Sequence, residues 1–236
     1  MKNHVTDGQL GQLAVKQHEL FGRAKRGVYE SIDEVLAAVQ RVIEGKEPII
    51  PTLSVDQKFA KWRTFIIGGF VPRALLSRVE TGCKVGDGAK NLMRQVSFTT
   101  RSMVEEGVET IILTPADFGY ERQPTVTELL DPTRLAEWSK QNAHRLPADY
   151  VVELLPAEAG PHIRDQYKDQ LKYEVLWIAM KRIADSNGNQ HVFGLERSDD
   201  GERKLHTGWM HPDDPCSLDR RLVFRLRKVE PTASAA

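Results

Sequence analysis

The densest grouping of reactive side chains lies in LLPAEAGPHIRDQYKDQ. If this stretch is helical from Pro161 onward, His162, Arg164, Asp165, Tyr167 and Asp169 crowd about one and a half turns, with Glu158 just before them. A histidine beside a carboxylate titrates close to neutrality, so Glu158, His162 and Asp165 are candidates for proton transfer. Arg164 and Tyr167 are candidates for holding an anion. The structural alternative is a charged, capped helix, where pairs at three- and four-residue spacing are common and Ile163 and Tyr167 pack beneath a sheet. A second grouping is the basic run RRLVFRLRK, with Arg221, Arg225 and Arg227, near Trp177, Trp209 and Tyr173 in adjoining runs. A sheet that combines arginines with aromatic rings can neutralise phosphates and stack bases, provided the rings share a face with Arg225 and Arg227. Core aromatics beneath a solvated arginine face are the commoner arrangement.

Other motifs are weaker. TGCKVGDGAKN carries Gly82, Gly86, Gly88 and Lys90 but lacks the spacing of a phosphate loop, so turns and a helix start account for it. His206, His211, Asp213, Asp214 and Cys216 are all zinc-compatible types, yet their spacing matches no zinc pattern. No GxSxG elbow, HExxH helix, GxGxxG turn or paired-cysteine redox motif occurs. No metal or cofactor is therefore expected. Cys83, between Gly82 and Lys84, reads as a structural thiol.

The elements that must carry these groups point to an α+β fold. Leu10, Leu13, Leu20, Phe21 and Ala24 recur at helical spacing up to Gly27. Ser31 and Glu34 then open a second helix with a capping-box spacing and a stripe through Val35, Leu36 and Val39. This helical hairpin, residues 1–47, is followed by a proline-containing linker, 48–60. An α+β domain occupies 61–230 and a frayed tail 231–236. Its middle layer is mixed: strands at Phe65–Ile67 and in ETIILTP, and short helices from Pro72, from Asp87 and from Asp131-Pro132. Its last third reads as a four-stranded antiparallel meander, KYEVLWIAMKRI, QHVFGLER, RKLHTGW and RRLVFRLRKV. Asn187-Gly188 and Asp200-Gly201 supply the positive φ that hairpin turns need.

Composition narrows the setting. In 236 residues, 33 basic side chains balance 33 acidic ones, which excludes a polyelectrolyte. Two cysteines exclude a disulfide framework and fit a reducing, cytoplasmic environment. No apolar run approaches the ~20 residues of a membrane span, and the polar start lacks the apolar stretch of a signal peptide.

The stretch from PAEAGPHIRDQYKDQ through WIAMKRIADSNGNQHVFGLERSDDG to RLVFRLRK resembles a family of small uncharacterised bacterial proteins. In that family a PAE-GP segment leads to an aromatic-rich strand, a DG-type turn and a final VF-R-RK strand. The front helices, ELFGRAKRGVYESIDEVLAAVQRVIEGK, resemble a leader found on such proteins. The resemblance implies a domain outline and no activity.

The expectation is a non-catalytic cytoplasmic binding or regulatory protein that contacts nucleic acid through its basic strand. The alternative is a small hydrolase or transferase using Glu158 to Asp169. Another protein is an open partner class, a membrane is not, and the single apolar stripe of each N-terminal helix must be buried against the rest of the chain, another copy or a partner, an interface between copies being one expectation. Light scattering is expected to show an oligomer for the full chain and a monomer for a chain starting at Val55. Two monomers remove the idea.

Overall fold

The computed structural model describes residues 58–229, apart from the Trp209 side chain, and the helical positions Asp33, Leu36, Ala37, Val39 and Gln40. The chain divides into two compact units, Met1–Ala60 and Lys61–Ala236. The rest of the N-terminal helical pair, the linker up to residue 57 and the tail, residues 231–236, lie outside the described residues.

The second unit is α+β. Strand β1 (Arg63–Gly68) sends Phe65 and Ile67 into the core at alternate positions. It ends at Gly68 and Gly69, whose φ values of 105° and 79° suit glycine alone. Helix α1 (Pro72–Gly82) starts on a proline, whose missing N–H is no loss in a first turn. The short β2 (Lys84–Val85) and α2 (Asp87–Arg94) follow, and β3 (Glu105–Leu113) returns antiparallel to β1 with Val108 opposite Phe65. Thr125 and Glu128 form a reciprocal capping box on α3 (Val126–Leu129). Asp131 accepts from Thr133 N at 2.8 Å and caps α4 (Pro132–Gln141), as its pairing with Pro132 predicts. Then come β4 (Tyr150–Glu153), α5 (Ala159–Gln166), β5 (Val175–Ile178), β6 (Ile183–Ala184), β7 (Gln190–Arg197), β8 (Arg203–Trp209) and β9 (Leu222–Lys228).

These strands form one mixed, curled sheet in the order β1-β3-β9-β5-β7-β8-β2, with β4 on β9 and β6 on β7. Both expected turns are present: Gly188 (φ 86°) lies between β6 and β7, and Gly201 (φ 88°) between β7 and β8. The four-stranded meander needs two corrections. KYEVLWIAMKRI is two strands, because β5 stops at Ile178 and β6 begins at Ile183. Nor does β9 pair with β8: it runs parallel to β5, with Leu222 opposite Trp177, and antiparallel to β3, with Phe224 opposite Ile111. The physical reason is that Leu222, Val223, Phe224 and Leu226 are each at most 3% exposed, so β9 is apolar on both faces and belongs in the sheet interior. The middle layer is thus part of the same sheet.

One face of the sheet carries Leu176, Leu195 and Leu205 in line across three strands, all fully buried. Each contributes about 1.5–3 kcal/mol by burial. Helix α5 packs on this face, where Gly160 lets its backbone approach Phe193; a Cβ at Gly160 would stand 2.8 Å from the Phe193 Cβ. Gly160→Ala gains about 1 kcal/mol of helix propensity, but overpacking against a fully buried ring outweighs it. The expected result is a lower denaturation midpoint, and an unchanged or higher one contradicts this packing.

Candidate functional site

Gathering the polar groups of α5 with their partners shows what they do. β1 ends the strand order, so the outward backbone groups of alternate residues along it have no neighbouring strand. Helix α5 supplies side chains instead. Gln166 Oε1 accepts from Ile66 N at 3.0 Å, and Gln166 Nε2 donates to Ile66 O at 2.7 Å. One turn earlier, His162 Nε2 accepts from Gly68 N at 3.1 Å. Four residues along a helix advance about 6 Å, and two along a strand about 6.7 Å, so the two spacings match.

The other members of the cluster are equally engaged. Glu158, 1% exposed, accepts from Arg101 Nε at 2.7 Å and from Arg101 N at 3.0 Å. Arg101 also pairs with Glu106, which takes Arg225 on its other oxygen at 2.6 Å. Asp165 pairs with Arg78 of α1 at 2.7 Å, and Asp169 holds Arg63 through two bonds of 2.9 and 2.7 Å. Tyr167 donates to Glu174 Oε2 at 2.7 Å, and burial beside that carboxylate pushes its hydroxyl pKa up. Arg164 is fully buried and binds Gln170 Oε1 and the Tyr167 carbonyl, with its Nε unpartnered among the described residues. Burial lowers its pKa to about 10, which leaves it charged at neutral pH. Burial also depresses the His162 pKa, and the nearby Arg78 and Arg101 lower it further, against Glu158 and Asp165, which raise it. Accepting from Gly68 N requires an unprotonated Nε2, in keeping with that depression.

The β9 arginines are paired as well: Arg221 with Glu174 at 2.7 Å, Arg225 with Glu106, and Arg227 with Glu153 at 2.7 Å. Register decides their relation to the aromatics. Trp177 stands opposite Leu222, and Arg225 and Arg227 are odd steps away along β9, so they point to the other face. The shared face that base stacking requires is absent for this pair of groups. Trp209 ends β8 opposite His191.

Trp177 has its own surroundings. Its row across the sheet is Trp177, Gly194, His206, and Gly208 lies two residues beyond on β8. A Cβ at Gly194 or Gly208 would run into the indole, so two mid-strand glycines give it room to lie along the sheet. His206 meets the indole edge-on at 5.1 Å between ring centroids, and the Arg220 guanidinium stacks 5.3 Å from its centroid. Glu196 Oε2 lies 3.9 Å from His206 Nε2. This part of the face is open, with Val175 37% exposed and the Glu196 and His206 side chains 35% and 28% exposed. The sequence offered the glycines and Trp177, but only cross-strand register connects them.

Remaining candidates have structural partners. Lys90 pairs with Glu80 at 2.8 Å, and Gly88 makes room for Thr207. Asp214 accepts from His211 N at 3.2 Å, and Cys216 is fully buried. Among the described residues no group of three or more His, Cys, Asp or Glu is placed to hold a metal, and no helix is long and apolar enough to cross a membrane. The Cys83 thiol donates to Val79 O at 3.4 Å, and burial raises its pKa. No family model, curated protein or solved structure matches the chain.

His162 is depressed below its ordinary value of 6.5, so the unfolded chain binds the extra proton as pH falls beneath that value. Its stabilising effect is present above 6.5 and is lost as pH drops through and below it. Denaturant midpoints measured from pH 7.5 to pH 5, ~2.5 units spanning the imidazole range, are expected to fall. The fall should be smaller in His162→Gln, which keeps an acceptor without a titrating ring. Identical profiles would discard the role given to His162. Gln166→Ala is expected to destabilise by about 1 kcal/mol and to speed hydrogen exchange at the Ile66 amide.

Proposed function

We propose that this protein is a non-catalytic binding module that contacts single-stranded nucleic acid through the open face of β5, β7 and β8, with Trp177 as the stacking ring. The observation that carries the reading is an indole laid along the sheet over two glycines, with a guanidinium stacked on it. A base has a flat apolar surface that can take the place of the Arg220 guanidinium over the indole, and the displaced Arg220 can stack on the base or reach a phosphate. The arginines of β9 contribute less in this reading, because each already carries a carboxylate partner. The hydrolase or transferase alternative has less support. Glu158, His162, Asp165 and Asp169 already hold Arg101, Gly68 N, Arg78 and Arg63. A reducing cytoplasmic setting belongs to the proposal and agrees with Cys83 and Cys216 both being free thiols.

Fluorescence anisotropy with labelled single-stranded RNA and DNA, at low and moderate salt, tests this. Trp177→Ala is expected to weaken binding about tenfold or more. Arg220→Ala should also weaken it and flatten the salt slope by about one, because one fewer counterion is released. Arg227→Ala should leave both unchanged. Loss of binding in Arg227→Ala with none in Trp177→Ala would move the interface to the other face. No binding by the parent protein ends the reading.

A further inference from the structure

A separate feature lies along α4. A cleft of about 260 Å³ is floored by Phe118 and Trp138, whose rings are 4.7 Å apart, and by Leu129 and Leu135. Its outer wall is the turn at Phe118 to Tyr120. That turn is braced by Asp117 Oδ2, which accepts from Thr114 N and Thr114 Oγ1 at 2.8 Å each, and Gly119 has φ 84°. Its inner wall is one flank of α4, where Arg134, Glu137 and Gln141 recur at three- and four-residue steps beside the buried Leu135 and Trp138.

The charges on this cleft are not equivalent. Glu128 is committed: it takes Arg122 Nη2 at 2.7 Å and Thr125 N at 2.8 Å, and the Arg122 guanidinium holds its pKa down to about 2. Arg134 and Glu137 are different. Opposite charges three residues apart on one helical flank are close enough to pair, yet here neither has a hydrogen-bond or ion-pair partner among the described residues. Both line a concavity with an aromatic floor. A cavity below the roughly 300–1,000 Å³ of drug-sized sites suits a metabolite rather than a nucleotide or a peptide.

We propose that this cleft binds a free α-amino acid with a large apolar or aromatic side chain, its carboxylate on Arg134, its ammonium on Glu137 and its side chain over Phe118 and Trp138. A zwitterion matches the unpaired charges, since each end meets the opposite sign and the bound complex keeps the net charge of the free protein. The carboxylate suits a guanidinium fork, which offers two parallel donors. This site is independent of Trp177 and does not rest on the nucleic-acid reading.

Titration calorimetry on the full chain with L-phenylalanine tests the proposal. Three probes each lack one feature: 2-phenylethylamine the carboxylate, 3-phenylpropanoate the amine, and glycine the side chain. L-Phenylalanine is expected to bind, and each probe about tenfold or more weakly than it. Arg134→Met should weaken L-phenylalanine and 3-phenylpropanoate but leave 2-phenylethylamine unchanged, and Glu137→Gln should weaken L-phenylalanine and 2-phenylethylamine but leave 3-phenylpropanoate unchanged. Both side chains are exposed, so the parent's thermal midpoint should persist and confirm folding. The proposal is overturned if L-phenylalanine, L-leucine and L-tryptophan all fail to bind at millimolar concentration, if a truncated probe binds as tightly as L-phenylalanine, or if the two substitutions act alike on every probe.

Discussion

The fold depends on how the free edge of β1 is closed. Backbone N–H and C=O groups along an outer strand must find partners, and a second strand is the usual answer. Here a helix gives it. Gln166 presents an amide to both polar groups of Ile66, and His162 accepts from Gly68, at two points one turn apart. The same helix is also held by the Arg78–Asp165 and Arg101–Glu158 pairs. It thereby fixes the position of α1 and of the segment before β3. Capping Ile66 and Gly68 with side chains also blocks that part of the β1 edge as a template for another chain.

That arrangement gives the polar members of the cluster from Glu158 to Asp169 structural partners. Its charged members each meet a group from a different part of the chain, and the ionic contacts near the surface contribute little individually. Their value is positional: together they hold one helix against β1, α1 and the loop before β3. Arg164 is the exception, a buried guanidinium whose partners are an amide oxygen and carbonyl groups rather than a carboxylate. It ties the end of α5 to Gln170 and β7, so the turn after the helix is set by neutral acceptors around a charge.

What the sequence reveals here follows how local the determinants are. The turns at Gly188 and Gly201, the proline starts of α1 and α4 and the Asp131 cap are written in a few adjacent residues, and all are read correctly from them. The capping box of Thr125 and Glu128 is equally local and could have been found by its spacing. By contrast, the place of β9 depends on pairing with strands more than forty residues away, which no neighbouring residue encodes. The use of Gln166 was hidden for the same reason: glutamine is an ordinary surface residue until an unpaired strand lies beside it. Gly194 and Gly208 acquire their meaning only once register sets Trp177 over them. The sequence leaves open whether Arg225 and Trp177 share a surface, and the parity of the β-strand repeat separates them.

The central place of β9 has a consequence for how the chain acquires its shape during synthesis. The hairpin of β7 and β8, and the pairing of β1 with β3, involve segments that emerge before residue 222 does. The strand that unites these two halves is made after both. Until it docks, the facing edges of β3 and β5 lack their shared neighbour, and Ile111, Leu113 and Ile178 lack their final cover. Before that strand is made the two halves have nothing to join them, and topologies closed by such a distant segment are slow to complete. Assembly ends by filling the middle rather than by adding to an edge, so a nascent chain that has not yet released β9 lacks the joint between its halves.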